Sequence, residues 1–137
     1  MKTLHTSYRV TDLAASLVFY RALGYQDIGR LDADNGASLT LLKFPEEDVA
    51  TLEIVHRPAD PSVDLGTGFT ALVVQVDDLA ATVDTLSRSG LKPEAPQQPG
   101  GADGPQTSWL TDPDGYRIEL VQWPAGHPSG LTAEDFA

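Results

Sequence analysis

The sequence predicts an α+β fold of two tandem βαβββ modules forming a curled, mostly antiparallel sheet. Three observations predict it. The chain repeats itself at an offset of 66 residues, each copy passes from alternating to helical apolar spacing and back, and Gly, Asn and Pro signals separate the strands. Leu4-His5-Thr6-Ser7-Tyr8-Arg9-Val10-Thr11-Asp12-Leu13 is matched from Thr70 to Leu79, Gly24 falls on Gly90, and Leu52-Glu53-Ile54-Val55 falls on Ile118-Glu119-Leu120-Val121. A duplicated unit of this size cannot close a core alone, so the copies are expected to pack together, with a site at their seam.

The first copy reads strand, helix, three strands. Leu4–Val10 alternates like a strand, and Thr11 or Asp12 can cap a helix whose apolar residues Leu13, Leu17, Tyr20 and Leu23 recur at helical spacing. Gly24 is placed to end that helix in the left-handed conformation. Strands are expected over Tyr25–Leu31, Ala37–Phe44 and Ala50–His56, with Asn35-Gly36 and the acidic run Pro45–Asp48 as turns. Pro58–Gly68 is a linker by composition. The second copy repeats the order: a strand over Phe69–Val76, a helix over Asp78–Ser89, and strands near Leu91–Ala95, Thr107–Leu110 and Tyr116–Trp123. Pro96–Pro105, rich in Pro, Gly and Gln, is expected to be a mobile loop. The organisation is one domain over 1–137, with modules 1–57 and 69–123, linker 58–68 and an irregular tail 124–137.

A chain of 137 residues with 41% apolar and 21% charged residues has the composition of one globular domain. Its net charge of −11, with nine scattered basic residues, argues against nucleic-acid binding. The absence of cysteine excludes disulfides, thiolate nucleophiles and Cys-ligated zinc. No signal-peptide core or membrane-length apolar run is present, so a cytoplasmic protein with no membrane partner is expected.

The repeat places ionisable groups on strands at His5, Glu53 and Glu119, and leaves Ala71 at the fourth corner. Side chains alternate across a strand, so Glu53 faces away from Ile54, and Glu119 away from Ile118 and Leu120. Taken alone, each Glu reads more readily as a solvent-facing carboxylate, and His5 as a surface histidine. Taken together with the shared register, the three read as ligands of a divalent ion, Zn or Ni above all, with a shell reduced by Ala71. Such an ion would act as a Lewis acid on a carbonyl or enediolate oxygen, and a carboxylate beside it could take a carbon-bound proton, which makes Glu119 and Glu53 the candidate catalytic residues.

Other residues carry less. His56, three residues after Glu53, falls on the opposite face. Asp112 and Asp114 read as turn formers in Asp-Pro-Asp-Gly, and Asp77-Asp78 as a helix cap. Trp109 and Trp123 suit core or interface packing, although Trp123 shares the face of Glu119 and is a candidate substrate contact.

These motifs resemble the vicinal-oxygen-chelate superfamily (the glyoxalase, bleomycin resistance and dioxygenase group), and within it the glyoxalase I (lactoylglutathione lyase) family. The resemblance is carried by Leu4-His5-Thr6, Arg9-Val10 with Asp12-Leu13, Phe19-Tyr20, Leu23-Gly24-Tyr25, Leu52-Glu53-Ile54, Leu65-Gly66-Thr67, Val76-Asp77-Asp78 and Asp112-Pro113-Asp114-Gly115-Tyr116-Arg117-Ile118-Glu119-Leu120. It spans about residues 2–123. It implies that His5 and Glu53 are first-module metal ligands, that Glu119 is the second-module ligand and the proton-abstracting base, and that Arg9 helps hold a glutathione moiety. It also implies a homodimer with sites where modules pair. Ala71 replaces the family's second histidine, and the loop Gln97–Gly104 lacks a basic residue for a glutathione carboxylate. Arg57 is available beside Glu53 as a substrate contact. Three functions follow. They are a metal-dependent lyase or isomerase acting on a hemithioacetal or related α-hydroxycarbonyl, a metal-free small-molecule binding protein, and, disfavoured by the missing histidine, a ring-opening dioxygenase.

Overall fold

The computed structural model describes residues 1–127 and 130–137. Pro128 and Ser129, part of the tail read as irregular, lie outside the described residues. The chain forms two compact units, one of residues 1–68 with Asp112–Gly115 and one of residues 69–111 with 116–137.

In the first unit, strands β1 (Thr6–Val10), β2 (Gln26–Asp32), β3 (Ser38–Lys43) and β4 (Leu52–His56) form a sheet in the order β1-β4-β3-β2. The β1–β4 pair is parallel and the other two pairs are antiparallel. Helix α1 (Leu13–Leu23) starts where the Asp12 carboxylate accepts from the Ala15 N–H at 3.0 Å. It ends at Gly24, whose φ of +119° is open to glycine at no steric cost, and the Tyr25 N–H reaches back to the Tyr20 carbonyl at 2.9 Å. The helix buries Ser16, Phe19, Tyr20 and Leu23, and the core of this unit also takes Tyr8, Val10, Leu42, Leu52 and Ile54. Asn35-Gly36 forms the expected turn, with the Asn35 side chain accepting from the Ala37 N–H.

The turn Asp112–Gly115 is tied into this unit by side chains. Tyr20 Oη donates to Asp112 Oδ2 at 2.8 Å, Tyr8 and Tyr20 share a hydroxyl–hydroxyl hydrogen bond, and Asp114 accepts from the Thr11 hydroxyl and N–H. Asp112 also accepts from the Asp114 N–H, the turn-forming role its sequence suggests.

In the second unit, β5 (Leu72–Gln75), β6 (Gln106–Thr111) and β7 (Arg117–Gln122) form a sheet in the order β5-β7-β6, with α2 (Leu79–Arg88) between β5 and β6 in sequence. The duplication is legible bond by bond. Asp78 caps α2 through the Ala81 N–H as Asp12 caps α1 through Ala15, and the Leu91 N–H bonds the Leu86 carbonyl as Tyr25 bonds Tyr20. Each β5–β7 pair is a β1–β4 pair displaced by the same 66 positions, with Ser7↔Glu53 becoming Val73↔Glu119. Leu79, Leu86, Leu110, Ile118 and Leu120 make its core.

One expectation is corrected. No strand forms at Leu91–Ala95. Pro93 and Pro96 remove donors a ladder needs, and in place of a ladder the Glu94 N–H bonds the Trp109 carbonyl, the Glu94 carbonyl accepts from Ser108 Oγ, and Gln97 just beyond forms an isolated bridge with Thr107. Within the loop Pro96–Pro105 the Gln98 side-chain amide donates to the carbonyls of Ala102 and Gly104.

Candidate metal and substrate site

Alternation along β1 sends Tyr8 and Val10 into the core and leaves Ser7 and Arg9 on the opposite face, with His5 just ahead of the strand. On β4, Leu52 and Ile54 are fully buried, so Glu53 and Val55 face the other way. The parallel register sets Ser7 beside Glu53 and Arg9 beside Val55, while antiparallel pairing sets Leu41 beside Glu53 and Leu39 beside Val55. The face is therefore apolar around a small polar cluster.

That cluster is tight. His5 Nε2 lies 3.2 Å from Glu53 Oε2, and Ser7 Oγ donates to Glu53 Oε1 at 2.7 Å. The two ionisable side chains are 25% and 14% exposed, so this is a sheltered pair rather than a surface contact. With metal–ligand bonds of about 2.1 Å, two neighbouring ligands on one ion lie about 3.0 Å apart at right angles and about 3.4 Å apart in a tetrahedron. The 3.2 Å separation falls between these values, and an imidazole nitrogen with a carboxylate oxygen is a donor set that suits Zn or Ni. These two residues fit a divalent ion.

Arg9 is already engaged. Its guanidinium meets the Asp60 carboxylate at 3.0 Å and the Asp60 and Ser62 carbonyls at 2.6 and 3.2 Å, clamping the segment after β4. Arg57 heads that segment and is exposed. His56 is half-buried, across β4 from Glu53.

In the second unit Glu119 is half-buried on β7 between Ile118 and Leu120, both fully buried, and so faces away from the core. Its neighbours are Val73 on β5 and Trp109 on β6. Arg117, two residues earlier on the same face, is held by Glu94 at 2.6 Å and by Thr111 Oγ1 at 2.8 Å, and lies 5.1 Å from the Trp109 ring centroid. Among the described residues, no hydrogen bond or ion pair engages the Glu119 carboxylate. Ala71 is half-buried just before β5. Trp123, beyond the end of β7, stacks on His127 with centroids 4.9 Å apart, and His127 pairs with Asp135 at 3.1 Å.

Of the residues singled out in the sequence, the fold thus joins His5 to Glu53. Among the described residues, no group of three or more His, Asp or Glu is assembled for a metal ion. Ser7 escaped the sequence reading, although its place two residues after His5, in repeat register with Val73, was a signal that it shares the ligand face.

Residues 2–120 match the Glyoxalase/Bleomycin resistance protein/Dioxygenase superfamily. A probable lactoylglutathione lyase of Synechocystis sp. is 35% identical over 127 residues, covering 89% of this chain and 95% of that one. The lactoylglutathione lyase of Neisseria meningitidis is 32% identical over 135 residues, covering 94% and 96%. A crystal structure of a glyoxalase I variant from Zea mays superposes with a TM-score of 0.78 at 28% identity, covering 88% of this chain and 44% of that longer one. The internal repeat, the paired sheet registers and these likenesses agree, and the chain belongs to the glyoxalase/bleomycin resistance protein/dioxygenase superfamily.

Proposed function

We propose that the chain is a metal-dependent lyase or isomerase of the glyoxalase I type, acting on a hemithioacetal or a related α-hydroxycarbonyl. The observation that carries this reading is the His5–Glu53 pair, 3.2 Å apart and sheltered on one sheet face. His5 and Glu53 hold a divalent ion, and Glu119 of a second copy of the chain completes the set in a homodimer. When bound, the ion supplies Lewis acidity to the substrate's carbonyl oxygen. Glu119 removes the proton from the hydroxyl-bearing carbon and delivers it to the adjacent carbonyl carbon, while the hydroxyl proton passes to the former carbonyl oxygen, so that hydroxyl and carbonyl exchange places without net oxidation. A carboxylate with no protein partner of its own suits that role. Arg57 and Trp123 contact the substrate, while Arg9 acts by shaping the segment through Asp60. Among the described residues no helix is long and apolar enough to cross a membrane, and a cysteine-free chain suits the cytoplasm.

The test is isomerisation of glyoxal-derived hemithioacetals in deuterated water, followed by NMR. Turnover that depends on added divalent ion, with deuterium entering at carbon, supports the reading. The absence of turnover with every thiol and every ion would refute it. Ala71 favours a second reading, metal-free binding of an apolar ligand on the same face. Saturable quenching of Trp109 or Trp123 fluorescence by such a ligand, with no metal uptake, would distinguish it.

A further inference from the structure

We propose that Ser7 is a positioning residue that fixes the Glu53 carboxylate as a ligand, and that Val73, its repeat counterpart, leaves the Glu119 carboxylate free to turn. The inference rests on the metal reading given above and assigns the two glutamates their different behaviour.

The two carboxylates occupy the same place in two copies of one motif. Ser7 sits beside Glu53 across β1–β4, and Val73 sits beside Glu119 across β5–β7. The neighbours differ in chemistry. Ser7 Oγ donates to Glu53 Oε1 at 2.7 Å, which turns Oε2 toward His5 Nε2 at 3.2 Å. A glutamate side chain has three free torsions, and anchoring one oxygen selects among them before an ion arrives. Val73 has no donor and is 59% exposed, so it cannot anchor its neighbour. Among the described residues no hydrogen bond or ion pair engages the Glu119 carboxylate.

The distinction matches two kinds of work. A ligand gains from being oriented in advance, because partners that hold a coordinating group raise metal affinity. A group that carries a proton from one carbon to the next must change the direction of its lone pair, and a fixed hydrogen bond would oppose this. A hydroxyl beside Glu53 and a methyl-bearing side chain beside Glu119 thus divide the labour between otherwise equivalent positions.

Four proteins test it: the wild type, Ser7→Ala, Ser7→Thr and Val73→Ser, each with Co²⁺ affinity measured by chelator competition and the visible Co²⁺ spectrum recorded. Ser7→Ala should bind Co²⁺ about tenfold more weakly, the lower end for loss of a ligand's hydrogen-bonding partner because Ser7 is exposed. Ser7→Thr, which keeps the hydroxyl, should stay within about twofold of wild type on the same scale. Val73→Ser should lower kcat several-fold with KM maintained and with Co²⁺ bound at least as tightly as by the wild type. Wild-type affinity and spectrum in Ser7→Ala would overturn the role of Ser7, as would a Ser7→Thr protein as weak as Ser7→Ala. Unchanged kcat in Val73→Ser would overturn the role of Val73. A wild-type chain that takes up no Co²⁺, or one whose uptake is unaffected by His5→Ala, would overturn the metal reading itself.

Discussion

Tyr20→Phe removes a single oxygen from the centre of the first unit and should be among its costlier conservative changes. Tyr20 is fully buried, and its hydroxyl joins Tyr8 to the Asp112 carboxylate, itself only 5% exposed. A hydrogen bond to a charged acceptor contributes about 1.5–3 kcal/mol and a neutral one about 1 kcal/mol. Phenylalanine fills the same volume, so no cavity cost is added, and the expected loss is about 3 kcal/mol. An unfolding entropy of about 2.1 cal/mol/K per residue gives about 0.29 kcal/mol/K for a chain of 137 residues. The midpoint should therefore fall by about 10 °C. Far-UV circular dichroism during urea and thermal unfolding reads the change, and Asp112→Asn, which keeps an acceptor but loses the charge, should cost roughly half as much. A Tyr20→Phe loss below about 1 kcal/mol would show that the chain of hydroxyls and carboxylate does not hold the turn Asp112–Gly115.

Burial raises the ionisation of Tyr20 and Tyr25 far above the ordinary tyrosine range. A raised folded value means that their stabilisation is complete below about pH 10 and is lost as pH rises beyond it, at about 1.4 kcal/mol per pH unit for each group. Absorbance at the phenolate band should show both ionising together with loss of ellipticity; independent titration of either before unfolding would contradict this. Ala71→His should tighten Zn or Ni binding, because position 71 is the counterpart of His5 and the sheet registers agree over the whole of β5. Unchanged affinity on competition titration would show that the correspondence fails at that strand's start. Light scattering should find a dimer at micromolar concentration, and a persistent monomer would remove the proposed source of Glu119.

Much of this was legible because the duplication tests itself. The Asp12 and Asp78 caps, the Gly24 and Gly90 stops and the Glu53 and Glu119 registers each came from residues whose conformational reasons are local. The strand expected at Leu91–Ala95 failed because its apolar start outweighed Pro93 and Pro96 in the reading, although two missing donors decide a ladder. The bonding within Pro96–Pro105 was hidden because composition cannot reveal that one amide, Gln98, satisfies two carbonyls. Asp112 was read only as a turn former, since its second partner, Tyr20, lies 92 residues away in sequence. The commitment of Arg9 to Asp60 and Ser62 was equally out of reach, because a strand arginine gives no sign of which later loop folds over it. His5 and Glu53 were singled out because the 66-residue repeat sets them in one register with Glu119, whereas alternation alone leaves each as a solvent-facing side chain.

Metal stoichiometry tests whether His5, Glu53 and Glu119 hold a divalent ion. Protein purified without a histidine tag and dialysed against Zn²⁺ or Ni²⁺ should retain stoichiometric metal by elemental analysis. Glu53→Gln should weaken retention strongly, and the combined loss of all three side chains should abolish it while the far-UV spectrum is preserved. Stoichiometric metal in the triple variant would contradict the account and place the ion elsewhere.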